Sequence, residues 1–259
     1  MQLIDTHTHL FEDRLCDQLP NVVLRAQQAG VSQSVCIGTD VQTSKRSVEI
    51  AQRFSDSIFA AVGIQPNYCH LAKADDWDQI VALAKQDRVC AVGETGLDRY
   101  WNECPFDLQQ DYFDRHIRLS QETNLPFVVH MRDCLPDVMV MLREGRQRGP
   151  LHGVMHSYTG DLTSALECIE LGLHISFAGM VTYKNAADIR DVAAKIPADR
   201  VLIETDSPYL SPEPKRKQRP NEPALLVHTA ACIAEVRNIP FAEFAELTSN
   251  NAKQFFRIA

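Results

Sequence analysis

Leu3-Ile-Asp-Thr-His-Thr-His9 begins with two apolar residues and closes on two imidazoles one residue apart. In an extended segment side chains repeat every two residues, so His7 and His9 point the same way, as two ligands of one metal must. Histidine is the commonest metal ligand, but a lone H-x-H is a weak signal. It gains weight because comparable residues close four other apolar runs. Val89-Cys-Ala-Val92 leads through Gly93 to Glu94, Pro126-Phe-Val-Val129 to His130, Gly153-Val-Met155 to His156, and Val201-Leu-Ile203 through Glu204-Thr205 to Asp206. Taken singly, each has an ordinary reading: a core histidine, or an acid capping the next helix. Taken as a set they predict metal binding, because strand carboxyl ends form the catalytic face of a parallel barrel.

Eight such runs are strand candidates: Gln2 to Asp5, Ser34 to Gly38, Phe59 to Gly63, Val89 to Gly93, Phe127 to Val129, Gly153 to Met155, His174 to Phe177 and Val201 to Ile203. Helical periodicity fills the intervals, as in Leu19 to Ala29, Thr43 to Phe54, Asp76 to Gln86, Asp107 to Thr123, Leu162 to Leu171 and Ala186 to Lys195. Strand and helix in alternation predict a parallel sheet with right-handed crossovers. The expected fold is a (β/α)8 TIM barrel, an α/β fold, with extra C-terminal helices near Glu222 to Val236 and Phe241 to Phe256 packed outside it. A doubly wound open sheet ranks below it. No G-x-G-x-x-G follows the first strand, and ligands spread over strands one, four, five, six and eight converge only if the sheet closes.

The 259 residues, 45% of them hydrophobic, fit one domain of that kind, expected over residues 1–259. Neither a secretory leader nor an apolar stretch of membrane-spanning length can be drawn, so the expected compartment is cytoplasmic, without a membrane partner. The eight cysteines contain no C-x-x-C pair and are expected to be free thiols. A formal charge of -8 argues against wrapping a polyanion broadly, though not against a local phosphate site. The one dense basic segment, Lys215-Arg216-Lys217 with Arg219, follows Asp206 and is read equally as a solvated loop or a substrate contact.

Two metals are expected, one on His7 and His9 and one on His130 and His156, with Glu94 between them in strand order. A carboxylate has two oxygens and can bridge two cations; a neutral histidine cannot. Two ions about 3.5–4 Å apart suit hydrolytic displacement. Asp206 is expected to ligate the first metal and to act as general base and acid. Glu204, two residues earlier, is expected to orient a ligating histidine, or else to pair with an arginine. Arg132 and Lys184 are the leading candidates for substrate contact; Arg99, Tyr100, Tyr183, Trp77 and Trp101 are others.

The segments Asp5-Thr-His-Thr-His9, Val92-Gly-Glu-Thr-Gly-Leu-Asp98, Val129-His-Met-Arg-Asp133, His156-Ser-Tyr-Thr-Gly160 and Ile203-Glu-Thr-Asp-Ser-Pro-Tyr209 together resemble the TatD family of metal-dependent hydrolases. The resemblance runs on through Asn221-Glu-Pro-Ala224. It implies a (β/α)8 barrel of the amidohydrolase superfamily, two divalent cations (Mg, Mn or Zn) and deoxyribonuclease activity. Carried over by position, the ligands are His7, His9, Glu94, His130, His156 and Asp206. Two positions depart from the family pattern: Gln65 stands where a histidine is common, and Ser157-Tyr158 where Cys-Phe is usual. The expected function is a DNA phosphodiesterase, a 3′-end exonuclease. The alternative is a deacylase or amidohydrolase acting on esters or amides such as aminoacyl-tRNA, and a metal-holding scaffold without turnover is the third.

Overall fold

The computed structural model describes residues 2–258; Met1 and Ala259, the ends of the expected domain, lie outside them. Eight strands run in sequence order through one sheet: β1 (Leu3–Thr8), β2 (Val31–Ile37), β3 (Ile58–Val62), β4 (Val89–Asp98), β5 (Phe127–Arg132), β6 (Gly153–Met155), β7 (Leu173–Phe177) and β8 (Val201–Ile203). All neighbouring pairs are parallel. Closure is made just beyond β8. The Asp206 amide donates to the His7 carbonyl at 3.0 Å and the His9 amide to the Ser207 carbonyl at 2.7 Å.

The helices are α1 (Asp13–Cys16), α2 (Leu19–Gln28), α3 (Val41–Arg53), α4 (Asp76–Leu83), α5 (Phe106–Thr123), α6 (Leu135–Arg148), α7 (Leu162–Leu171), α8 (Ala187–Lys195), α9 (Leu226–Val236) and α10 (Phe241–Phe256). The fold is a (β/α)8 barrel. Local chemistry explains the helix starts: Asp40 accepts from the Thr43 amide while Thr43 returns the bond, a reciprocal cap on α3. On α5 the stripe Tyr112, Phe113, His116, Ile117 and Ser120 is buried, as its three- and four-residue spacing predicts.

The core has two parts. Leu3, Cys36, Ala60, Val62, Val92 and Val129 face the helices. Ile4, Val35, Ile37, Phe59, Ala61, Ala91, Val128, Val154 and Leu202 belong to a second cluster, which Ala252, Phe255, Phe256 and Ile258 complete. Strand alternation sorts the two sets except at β4, where the adjacent Cys90 and Ala91 both belong to the second, and the second is the barrel interior. Here one expectation is corrected, because the end of α10 does not merely pack outside but contributes to the interior cluster. Its two phenylalanines contribute about 1.5–3 kcal/mol each by burial.

Further differences concern boundaries: β1 runs to Thr8 rather than Asp5, and β2 begins at Val31 rather than Ser34. β4 continues five residues past Gly93, to Asp98, because Gly93 and Gly96 take positive φ of 125° and 126°, and the pairing with β5 shifts register between Val92 and Thr95. Glycine weakens strand propensity, so a sequence reading stops there; in the sheet it permits a bulge instead. β5 likewise extends to Arg132. The interior Gly145 of α6 packs against Ile117 of α5. Among the described residues the cysteines form no disulfide, and no helix is long and apolar enough to cross a membrane.

Candidate metal centre

The six expected ligands meet at the carboxyl ends of the strands. His7 and His9 come from β1 and the residue after it, with their Nε2 atoms 3.3 Å apart. Glu94 of β4 reaches both sides of the centre. Its Oε2 lies 3.5 Å from His7 Nε2 and 3.9 Å from His9 Nε2. Its Oε1 lies 2.9 Å from His130 Nδ1 and 3.3 Å from His156 Nε2. Asp206 Oδ1 lies 3.4 Å from His9 Nε2 and 3.8 Å from His7 Nε2. The His7 and His156 rings stack with centroids 4.1 Å apart.

For His9, His130 and His156 an outer hydrogen bond decides which ring nitrogen faces inward. His9 Nδ1 donates to the Ile37 carbonyl at 2.9 Å, leaving a lone pair on Nε2. His130 Nε2 bonds Asp98 Oδ2 at 2.9 Å, so Nδ1 faces Glu94. His156 Nδ1 bonds Glu204 Oε1 at 3.1 Å, so Nε2 faces Glu94. Each of these three inward nitrogens faces a carboxylate oxygen, where a proton can be shared or a divalent cation can take the proton's place. Backing of the distal nitrogen by a carboxylate or carbonyl is the usual support for a metal-ligating histidine. Three groups, His7/His9/Glu94, Glu94/His130/His156 and His7/His156/Asp206, each keep their candidate ligand atoms within 4.8 Å of one another. The donor set fits divalent cations.

Charge is concentrated here. Burial would push the Glu94 carboxyl upward, but His156, His130 and His7 hold it well below the usual range. Asp206 is held down in the same way, chiefly by His9 against the effect of burial. Burial disfavours protonated His156, yet Glu94 and Glu204 raise its pKa well above the ordinary value. For His7, burial and the neighbouring His156 lower it.

Glu204 is buried without an arginine partner: it also accepts from the Ser157 amide at 2.8 Å and from Ser176 Oγ at 2.5 Å. Two participants escaped the sequence reading. Asp98 anchors His130 and accepts the Tyr100 and Trp101 amides at 2.8 and 3.0 Å and Asn67 Nδ2 at 3.1 Å; despite its burial these partners bring its pKa down to about 2. Its even spacing from Glu94 was the available signal, obscured once the strand was ended at Gly93. Asp5 is buried and takes Thr205 Oγ1 at 2.6 Å and the Thr205 amide at 2.9 Å, tying β1 to the segment after β8.

The candidate substrate contacts lie farther out. Arg132 is exposed, with its guanidinium 3.7 Å over the Tyr100 ring. Lys184 is exposed beyond β7, where its carbonyl accepts from Arg190. Arg99 pairs with Asp137 at 2.9 Å, and Trp77 packs on His116 with centroids 4.9 Å apart, so Trp77 fills space. Gln65 is buried and turns its carbonyl oxygen to the Asn67 amide at 2.9 Å.

Comparison with known proteins places this geometry. A family model described as TatD related DNase matches residues 4–257. The chain is 39% identical over 256 residues to the Bacillus subtilis uncharacterized metal-dependent hydrolase YabD, covering 99% of each protein. It is 32% identical over 261 residues to the Edwardsiella piscicida 3′-5′ ssDNA/RNA exonuclease TatD, covering 99% of this chain and 100% of that one. The crystal structure of YJJV, a TatD homologue from Escherichia coli, superposes with a TM-score of 0.92 at 28% identity, over 99% of this chain and 98% of the other. With a whole-chain family match and a buried histidine and carboxylate cluster where the barrel strands end, the chain belongs to the TatD family and is a metal-dependent hydrolase.

Proposed function

We propose that this chain is a deoxyribonuclease that removes nucleotides from the 3′ ends of single-stranded DNA, working with two divalent cations. The observation that carries the reading is the division of Glu94: one oxygen faces His7 and His9, the other faces His130 and His156. His7, His9, Asp206 and Glu94 would hold one cation; His130, His156 and Glu94 would hold the other. When bound, such a pair supplies Lewis acidity toward a phosphoryl oxygen and lowers the pKa of an attacking water.

The chain's own groups do the rest. Asp206 is the more open of the two carboxylates, with 14% of its side chain exposed against 5% for Glu94. It takes the proton of the attacking water and returns it to the leaving oxygen. Glu204 and Asp98 hold His156 and His130 in the tautomers that present bare nitrogens inward. Arg132, exposed at the carboxyl end of β5 two residues after His130, is the candidate phosphate contact. The name of the Edwardsiella relative, a 3′-5′ ssDNA/RNA exonuclease, supports single-stranded nucleic acid as substrate. A charge of -8 supports engagement of a strand end by a few side chains over a long tract.

The test compares linear and circular single-stranded DNA of one sequence, with Mg, Mn and Zn, beside an aminoacyl-tRNA. Stepwise shortening of the linear form from its 3′ end with the circle intact is expected. Rapid cutting of the circle defeats the end-directed reading. Release of the amino acid with both DNA forms untouched replaces it by the deacylase.

A further inference from the structure

The protein contains 11 Phe, 6 Tyr and 2 Trp, and among the described residues only four of these side chains are exposed. They are Tyr68 at 41%, Tyr100 at 50%, Trp101 at 47% and Tyr209 at 46%. All four sit on loops that follow the carboxyl ends of strands, β3 for Tyr68, β4 for Tyr100 and Trp101, β8 for Tyr209. A distribution set by chance exposure would also place rings on the outer helices. Their confinement to the catalytic face calls for a ligand with flat apolar surfaces.

These rings are indexed to the metal centre. Asp98 accepts the Tyr100 and Trp101 amides on one oxygen and bonds His130 on the other, which also takes Asn67 from the Tyr68 loop. Tyr209 meets the His9 ring edge-on with centroids 6.0 Å apart. Arg132 lies 3.7 Å over the Tyr100 ring and covers that face with a planar cation, while the Tyr100 and Trp101 rings meet edge-on, centroids 4.9 Å apart and planes at 86°, so the guanidinium and the two rings present separate flat faces. Such a surface suits bases, since every nucleobase has a π-face and stacking tolerates any sequence.

We infer that Tyr100 and Trp101, with Arg132, form a stacking platform for the bases of a single-stranded nucleic acid at the rim of the barrel, and that Tyr68 and Tyr209 extend it around the mouth. The inference rests on the nuclease reading and names how that substrate is gripped. A net charge of -8 argues against broad neutralisation of phosphates, so base stacking supplies affinity beside a few local basic contacts.

The experiment measures binding apart from cleavage, on the full chain with metal chelated. The probes are a labelled five-nucleotide single-stranded DNA and the same backbone with every base replaced by an abasic residue. The base-bearing probe is expected to quench Trp101 fluorescence and the abasic one is not. Tyr100→Leu and Trp101→Leu should each weaken the base-bearing probe by about 5- to 150-fold in Kd, the range that loss of one stacked base implies. Tyr100→Phe should restore affinity to within about threefold, since the ring face remains. Equal weakening of both probes, or no binding of either, overturns the platform. Binding with the expected discrimination but no cleavage under any metal sinks the nuclease reading and leaves the platform standing. Normal cleavage by the leucine variants with unchanged KM sinks the platform and leaves the nuclease reading standing.

Discussion

Glu94 is the residue on which both halves of the centre depend, since each of its oxygens faces a different pair of imidazoles. Glu94→Ala should therefore lower divalent-ion content at both sites together; elemental analysis of the purified variant checks this, and full retention removes the bridging role. Asp206→Asn keeps size and one oxygen but cannot take a proton. Its turnover at saturating metal should drop by about 10²- to 10⁴-fold, the usual contribution of a positioned acid-base group. A loss under tenfold would move the role elsewhere. His116, buried on α5 against the segment after β3, sets a different pH dependence. Its Nδ1 donates to the Tyr112 carbonyl at 2.7 Å, and its Nε2 accepts the Ile64 amide at 3.1 Å. Burial lowers its pKa from 6.5 to about 4. Below pH 6.5 the unfolded chain takes up a proton that the folded chain refuses until about pH 4. Stability is thus complete above 6.5 and falls through that window, by up to about 1.4 kcal/mol per pH unit. His116→Gln should flatten this fall relative to the parent in denaturant titrations at stepped pH.

At the scale of elements, β4 and β5 form the hinge between sequence pattern and site. Gly96 pairs with His130 across the two strands, and its φ of 126° lies where side chains are strained. A methyl group there would also strike the His130 carbonyl oxygen. Gly96→Ala is expected to cost about 1–3 kcal/mol from backbone strain alone, with more from the clash, and to displace His130. Chemical denaturation together with ion content reads both effects; a variant of parental stability that still binds a full complement of metal would show that the bulge tolerates a side chain. The neighbouring helices depend on commoner devices, such as the reciprocal cap of α3 and the buried stripe of α5.

Over the whole molecule, the barrel brings residues 7 to 206 into one centre, so two ions bound there would together join five strand ends or the segments just after them. Bound metal stabilises the folded chain alone, by about 2.7 kcal/mol for each site at a free ion concentration 100 times Kd. For a chain of this size that corresponds to roughly 5–10 °C in Tm for each site occupied. Chelation should lower Tm by such an amount, and readdition of the ion should restore it. An unchanged Tm would mean that the ligand cluster holds no ion under the conditions used.

Sequence by itself determined the alternation of strand and helix, hence the barrel, and the identity of the polar residues gathered at its carboxyl end, because both follow from local period and from which residues close each apolar run. His130, His156, Glu204 and Asp206 share the parity of the interior residues Val128, Val154 and Leu202, so simple alternation already turns them inward. His7 and His9 do not share the parity of Ile4, and on β4 the adjacent Cys90 and Ala91 both belong to the interior cluster; register shifts between Asp5 and Thr8 and between Val92 and Thr95 accompany the turn of His7, His9 and Glu94 toward the site. Those shifts depend on pairing with neighbouring strands and on backbone conformations that only the closed sheet imposes. The same holds for Asp98, whose partners His130, Asn67 and the Tyr100 and Trp101 amides come from three different parts of the chain. It holds also for the gathering of exposed rings at one rim and for the closure of the barrel interior by α10. Such contacts join residues far apart in sequence, and no local period encodes them.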